Sequence, residues 1–502
     1  MKINAHTPPK GTVRDWLDHC ATNRGPKEAF VFLDQSPPLN WRDLRDHARE
    51  IACDLTGLGV EKGESVAIML PNGPDAILAL FGVLYGGFRA TVINLVAGDE
   101  AIGYALDHSD ARFAFVGADQ LVQFNRVKPD RLGALSLSRR ATTERKFALH
   151  PLGPDDAALL MYTSGTTGRP KGVVHSHASL LAGGWTPTIA HELTENDRGL
   201  CVLPIYHING LCVSVMGTLV SGGSLAVVEK FSTSRFWADC DLGRVTWFSV
   251  VPTIISHLLH SDITPGPDIR ARLRFGRSAS APLSPDVQTA FESRFEVPIV
   301  ETMGLTETAA QILSNPLPPG IRKIGSPGKA FGNEACILGP DMTALPPNQQ
   351  GEIAVRGPNI MSEYLKNPDA TRDTFTPDGW LRTGDLGHVD GDGYYFVTGR
   401  LKELIIKGGE NIAPREIDEA LYSHEDVIEA AAFAQPCPSY GERVEAAVAI
   451  RGGSMLTSDA LIKICHARLG KFKSPDHIHI LTELPKGPSG KIQRRKLAEM
   501  MA

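Results

Sequence analysis

The sequence predicts an α/β protein: a large N-terminal domain of parallel-rich sheets with helices plus a small antiparallel unit, then a small α+β C-terminal domain. Three observations carry this reading. Short apolar runs alternate with helical patterns at βαβ spacing in the first half. Glycines crowd a strand-rich stretch after Gly351. A shorter α+β pattern begins near Arg400.

In the first half, residues 65–70 read as a buried strand, Pro71-Asn72-Gly73 turns the chain, and residues 76–85 read as a buried helix. Residues 90–93 and 113–116 supply two further strands, the second closed by Gly117. Residues 225–228, a helical stretch and residues 247–251 repeat the pattern, which suggests βαβ units and a mostly parallel sheet. No sequence repeat of fixed period appears, which argues against a solenoid. After Gly351, residues 352–356 and 394–397 read as strands, closely punctuated by Gly379, Gly384, Gly387, Gly391 and Gly393, the texture of a compact antiparallel unit. Beyond Arg400 come strands at 405–406, 428–433 and 444–450 and helices at 414–421 and 461–469. The expected division is an N-terminal domain at 1–399, a hinge at 400–402 and a C-terminal domain at 403–502. The alternative is one continuous domain with a small α+β tail.

At roughly 100–200 residues per domain, 502 residues suit about three domains or subdomains. Lys and Arg total 51 against 57 Asp and Glu, a net charge of −6, which argues against a nucleic-acid partner. With 42% hydrophobic and 22% charged residues the chain is ordinary globular material, so disorder is excluded as its main state. None of the eight cysteines forms a C-x-x-C pair, which argues against a structural zinc site or a thioredoxin-type motif. Their sparseness fits a reducing compartment. Residues 1–9 lack an apolar signal core, and the glycine-interrupted stretch 76–88 falls short of the ~20 residues of a membrane helix. A cytoplasmic protein with no membrane partner is expected, and a homodimer stays open.

The strongest local signal is Thr163-Ser164-Gly165-Thr166-Thr167-Gly168-Arg169-Pro170-Lys171-Gly172, entered from the apolar run 157–161. Glycines let backbone N–H groups approach a phosphate, hydroxyls donate further bonds, and the ammonium adds charge. Gly168 and Lys171 are not adjacent, so this is not a Walker A loop. Further segments carry chemistry in order: Glu301-Thr302-Met303-Gly304-Leu305-Thr306-Glu307, Gly379-Trp380-Leu381-Arg382-Thr383-Gly384-Asp385, Gly399-Arg400-Leu401-Lys402-Glu403, Lys407-Gly408-Gly409-Glu410-Asn411, and Pro485-Lys486-Gly487-Pro488-Ser489-Gly490-Lys491.

Together these segments resemble the signatures of the adenylate-forming acyl-CoA synthetase superfamily, over residues 41–496. The resemblance implies that residues 163–168 and Lys171 bind the ATP phosphates and that Glu301, Thr302, Met303 and Gly304 hold the adenine. Asp385 can accept from both ribose hydroxyls, and Arg400 offers a rigid donor fork to the sugar or a phosphate. Thr306 can bond a phosphate oxygen, and Glu307 can help hold Mg²⁺. Lys491 would bridge the acyl carboxylate and the α-phosphate. Alone, these residues would read as turn, cap and surface positions; their common order makes them a site. The implied reaction joins a carboxylic acid, ATP and CoA through an acyl-adenylate, with a rotation of the C-terminal domain about Lys402 between steps. Gly408 and Gly409 would then leave room for pantetheine.

The acyl pocket is expected between His207, residues 247–252, 278–282 and 301–304. His207, in Pro204-Ile205-Tyr206-His207, matches a family motif near the acid and the thiol entry. Arg277, Ser278 and Ser280 make this wall unusually polar, resembling the oxalate–CoA ligase branch. Malonate ligases carry arginines where His257 and Thr302 stand here, which argues against malonate. A small polar acid such as oxalate, or a sulfonated or hydroxylated short acid, is therefore expected, with aromatic and medium-chain acids as the alternative. Two rivals are an adenylation enzyme that loads a carrier protein and a non-catalytic nucleotide-binding regulator, the latter opposed by the presence of Lys491.

Overall fold

The computed structural model describes residues 4–137, 147–163, 170–487 and 490–502. Four sheets organise the chain. The first has seven strands, of which Ala157–Thr163, Arg89–Val92, Ser65–Met69, Phe113–Val116 and Gly133–Leu135 run parallel in that order. On its other side Lys171–Ser176 pairs antiparallel with Ala157–Thr163, and Glu363–Tyr364 pairs antiparallel with Lys171–Ser176. The second sheet has nine strands. Its parallel centre runs Ile299–Leu305, Phe275–Ser278, Trp247–Val250, Arg198–Cys201, Ser224–Val227 and Glu28–Phe32.

Most residues of these strands are apolar on both faces, as a doubly covered parallel sheet requires, with Ser249 and Arg277 as inward-facing exceptions. One core joins the inner faces of both sheets through the helices Pro74–Gly86 and His177–Ala190 and a buried wide-turn π segment, Asn209–Met216. The helix Pro74–Gly86 is apolar all round, starts with proline at its first turn and stops at Gly87, which adopts the left-handed conformation. A second core covers the outer face of the nine-stranded sheet with the helices Phe236–Leu242, Pro252–Leu259 and Pro285–Phe295.

Side chains alternate along the central strands, which decides what the site can see. Trp247 and Phe275 stack on the inner face, so their neighbours Ser249 and Arg277 face inward too. Phe248 and Val250 belong to the outer core, and Ser278 pairs with Glu301 on that side.

The glycine-punctuated region is a four-stranded antiparallel sheet ordered Glu334–Leu338, Gly351–Arg356, Leu381–Val389, Tyr395–Arg400. Residues from Ile405 onward build a separate five-stranded sheet around the long hairpin Val427–Cys437 and Gly441–Ile450, covered by helices Pro414–Tyr422 and Ser458–Lys473. No helix among the described residues is long and apolar enough to cross a membrane.

Candidate active site

The site lies where the ends of the parallel strands meet the antiparallel sheet and the C-terminal loop. Thr163 and Lys171 are cross-strand partners at the mouth of the hairpin that carries the phosphate-binding signature. Ser164, Gly165, Thr166, Thr167 and Gly168 lie outside the described residues. The Lys171 ammonium sits 4.5 Å from the centre of the Tyr364 ring, and the Tyr364 hydroxyl donates to Glu307 Oε1 at 2.8 Å. The hairpin mouth and Glu307 are thus tied together by one aromatic side chain, which sequence reasoning did not single out.

Glu307 follows the strand Ile299–Leu305 in a single 3₁₀ turn, Thr306–Thr308. The turn is held in place by His175, whose Nε2 donates to the Thr306 carbonyl at 2.7 Å, and by the Met361 amide on the Glu307 carbonyl. Burial drives the His175 pKa down to about 4, so the ring is neutral. Glu307 Oε2 makes no hydrogen bond among the described residues. A single hard carboxylate oxygen beside phosphate-binding groups suits Mg²⁺, which takes most of its ligands from phosphate and water.

Glu301, Thr302, Met303 and Gly304 occupy the strand leading to this turn. Glu301 is buried, accepts from the Leu283 amide through Oε1, and leaves Oε2 without a partner. Burial raises its pKa against the pull of Arg415. Thr302 donates to the Ser278 carbonyl. Met303 packs at the edge of the antiparallel sheet's core, and Gly304 sits where the pairing register shifts.

Asp385 and Arg400 are register partners in the antiparallel sheet. Arg400 Nε donates to Asp385 Oδ1 at 2.6 Å, and that charge raises the guanidinium pKa against burial. Asp385 keeps lone pairs free for hydroxyl donors.

Lys491 comes into this group from a loop of the C-terminal domain that follows its last strand. It is half-buried, and its pKa is lowered by burial first and then by the Arg400 charge, with Glu403 and Asp385 opposing. His207 feels it in turn: burial and then Lys491 push the imidazole down to about 4. The Asn209 amide donates to His207 Nδ1 at 3.4 Å, leaving Nε2–H as the ring's remaining donor. The structure therefore brings together Lys491, His207, Arg400 and Asp385. Gly408 and Gly409 form an exposed turn between Ile405–Lys407 and Glu410–Ile412, with φ of +60° and +87°. Gly408 N–H is held by the Tyr440 carbonyl at 2.8 Å. Lys402 lies in the turn that follows Arg400.

Arg277 has the least ordinary setting. It is 1% exposed. Its Nη1 donates to Asn209 Oδ1 at 2.9 Å and Ser249 Oγ at 3.1 Å, and its Nε to Gln311 Oε1 at 3.3 Å. All these partners are neutral; no carboxylate among the described residues pairs with it. Its Nη2 makes no hydrogen bond among them, and Asn209 Nδ2 is a buried donor without a partner. Burial alone brings the guanidinium pKa down to about 9. Ser278 points to the opposite face of the strand, its buried Oγ unpartnered, and Ser280 lies in the following turn at φ +75°. The three residues expected to share a wall do not share a face. Asn209, Ser249 and Gln311, which complete the Arg277 group, were missed. Their one signal is a polar residue inside an otherwise apolar buried segment.

His257, at the position where malonate ligases carry an arginine, faces the C-terminal domain, with Nε2 2.7 Å from Glu429 Oε1.

Comparison with known proteins identifies the family of the chain. The AMP-binding enzyme model matches residues 17–365, and the AMP-binding enzyme C-terminal domain model matches residues 416–491. A sulfoacetate–CoA ligase of Cupriavidus necator is 44% identical over 512 residues, covering 99% of each chain. An oxalate–CoA ligase of Arabidopsis thaliana is 34% identical, covering 89% of this chain and 90% of that one. The crystal structure of ATP-bound MatB from Rhodopseudomonas palustris superimposes with a TM-score of 0.88 at 28% identity, covering 97% of this chain and 98% of that one. The chain belongs to the AMP-binding enzyme family and is an AMP-forming acid–CoA ligase that works through an acyl-adenylate.

Proposed function

We propose that this ligase activates a short acid bearing a second anionic group, a sulfonated two-carbon acid of the sulfoacetate type foremost and oxalate next. The observation that carries this reading is Arg277, a buried guanidinium with three neutral partners and no acidic one. An isolated buried charge is expensive unless something pairs with it, and a site built to bind a polar group rejects ligands that lack it. The names of the sulfoacetate and oxalate ligases support the same class.

In the proposed mechanism the acid's reacting carboxylate lies against His207 and Lys491, and its second anion turns toward Arg277 and Asn209. A carboxylate oxygen attacks the α-phosphorus of ATP, the new O–P bond replaces the bond to pyrophosphate, and pyrophosphate leaves. Two anions approach each other in this step, so the Lys491 ammonium is placed where repulsion develops. The 163–168 segment with Lys171 and Thr306 holds phosphate oxygens, the 301–304 strand holds the adenine, and Asp385 with Arg400 holds the ribose. Glu307 would help hold Mg²⁺, which when bound would supply further charge neutralisation on the phosphates. The CoA thiol then attacks the acyl carbon, loses its proton and expels AMP.

The domains are 1–399 and 403–502, with residues 400–402 as the hinge and Lys402 as its pivot. The lysine loop serves the first step, and the Gly408–Gly409 turn serves the second after the C-terminal domain rotates.

A pyrophosphate-release assay with and without CoA tests the reading across an acid panel. Sulfoacetate, oxalate and a hydroxylated short acid should exceed butyrate, octanoate and benzoate in kcat/KM. A preference for octanoate or benzoate overturns the proposed substrate class and leaves the ligase assignment intact.

A further inference from the structure

The helix Pro252–Leu259 has two unlike faces. Ile254, Ile255 and Leu258 are buried in the outer core of the nine-stranded sheet. Thr253, Ser256, His257 and His260 follow the i, i+3, i+4, i+7 spacing that lines up one side of a helix and its C-terminal cap. Every one of these four meets the C-terminal domain. Thr253 Oγ1 donates to the Gly490 carbonyl at 3.0 Å, Ser256 Oγ donates to the Ile428 carbonyl, and His260 Nε2 lies 3.0 Å from the Glu425 carbonyl. His257 reaches Glu429.

Glu429 is the centre of this contact. Its side chain is 1% exposed and takes three donors: His257 Nε2 at 2.7 Å from the N-terminal domain, Lys486 Nζ at 2.7 Å and the Leu484 amide at 3.0 Å from its own. Burial works against its charge, but these bonds outweigh it and hold the carboxyl below its ordinary range. Leu484 and Lys486 form the first leg of the small hairpin that carries Lys491. The legs are joined by the bridge from Lys486 to Ile492, by the Gly487 amide on the Lys491 carbonyl at 2.7 Å and by the Gln493 amide on the Pro485 carbonyl at 2.8 Å. Holding Lys486 at one leg and Gly490 at the tip leaves the Lys491 backbone little freedom.

We infer that His257 is a positioning residue for adenylate formation: through Glu429 it seats the hairpin that presents Lys491. The His257 ring makes its hydrogen bond to Glu429 of the C-terminal domain. Of the three donors to Glu429 it is the one from outside the C-terminal domain, and it lies one helical turn from Thr253, which holds the hairpin's tip.

The test separates the two half-reactions. Acid-dependent ATP–pyrophosphate exchange reports adenylation, and CoA ester formation from a supplied acyl-adenylate reports the second step. His257→Ala should lower kcat of exchange roughly 10- to 100-fold, as loss of catalytic alignment does, with KM for ATP and acid within about twofold. Ester formation from the adenylate should stay within about twofold of the parent. His257→Gln, whose amide still offers an N–H to Glu429, should recover most of the exchange rate. Thermal melting of each variant checks folding, and His257→Gln carries the test if the alanine variant melts early. Equal loss in both half-reactions, a loss confined to KM, or unchanged exchange each overturns the proposal. The parent enzyme's own exchange with the acid panel keeps this result distinct from the choice of acid.

Discussion

Arg277→Met removes the guanidinium but keeps an unbranched side chain of similar length. In the free protein the change should leave stability level or raise it. Burial alone lowers the Arg277 pKa to about 9, and a drop of that size corresponds to roughly 5 kcal/mol of unfavourable charge desolvation. The sign follows from linkage. A base whose folded pKa lies below its unfolded value penalises the folded state wherever it is charged in both states. That penalty is fully present at neutral pH and is relieved only as pH rises above the folded value. The partners left behind are not stranded: Asn209 Oδ1 also accepts from Ser249 Oγ, and Gln311 Oε1 lies 3.2 Å from His191 Nε2. The substrate-bound state should behave in the opposite way. Removing one member of a buried charge pair costs about 3–5 kcal/mol, or roughly 10²- to 10³-fold or more in kcat/KM for sulfoacetate or oxalate. Butyrate should change only a fewfold. The assays are pyrophosphate release across the acid panel and thermal melting with and without sulfoacetate, which should raise the melting temperature of the parent and not of the variant. Equal loss for sulfoacetate and butyrate, or a melting temperature that falls by several degrees without ligand, would refute the unpaired-cation argument.

Three further outcomes test the rest of the site. Lys491→Ala should reduce ATP–pyrophosphate exchange by about 3 kcal/mol, a hundredfold or beyond, while CoA ester formation from a supplied acyl-adenylate is spared; equal damage to both steps would sink the assignment of the lysine to adenylation alone. Because burial and Arg400 lower the Lys491 pKa and the step needs the charged form, exchange should fall on the alkaline side at a lower pH than an ordinary lysine would set, and the pH profile of the second half-reaction should lack that limb. Gly409→Leu should do the reverse of Lys491→Ala, blocking ester formation with exchange intact. Gly409 has φ +87° and open space around it, so Gly409→Ala carries the same backbone strain without the bulk. If the alanine variant loses ester formation as fully as the leucine one, strain rather than obstruction is the cause.

The sequence was most informative where local pattern and tertiary role coincide. The strand Phe113–Val116 was legible to the residue, because an all-apolar run ends in a glycine. The hairpin Val427–Cys437 and Gly441–Ile450 runs longer than its apolar stretches suggest. Its polar end, where Pro436 pairs with Glu442 and Cys437 with Gly441, is held by the turn rather than by burial. The Arg277 group shows the opposite limit. Arg277 was visible as a polar residue in an apolar wall, but Asn209, Ser249 and Gln311 stand 68, 28 and 34 residues from it. Only strand register, Ser249 beside Arg277, and the inward turn of the Asn209 segment bring them together. The same period of two puts Ser278 on the other face, so adjacency in sequence misassigned it to the Arg277 wall. His257 was compared with a substrate-binding position because sequence order says nothing of which side of a helix faces a second domain.

The division of labour between the two cations follows from what carries them. Lys491 sits on a hairpin of the C-terminal domain, whereas Arg277 sits in the middle of a nine-stranded sheet. His207, against Lys491, and Asn209, against Arg277, are two residues apart, so their Cα atoms are separated by at most ~7 Å. On the proposed reading, adenylation would neutralise the reacting carboxylate and remove the reason for Lys491 to stay, but it would leave the second anion charged. Arg277, fixed in the sheet, would then hold that anion through both steps while the lysine hairpin leaves. In the proposed mechanism a rigid cation serves the group that persists and a movable one the group that reacts, which suits two successive chemistries on one bound intermediate.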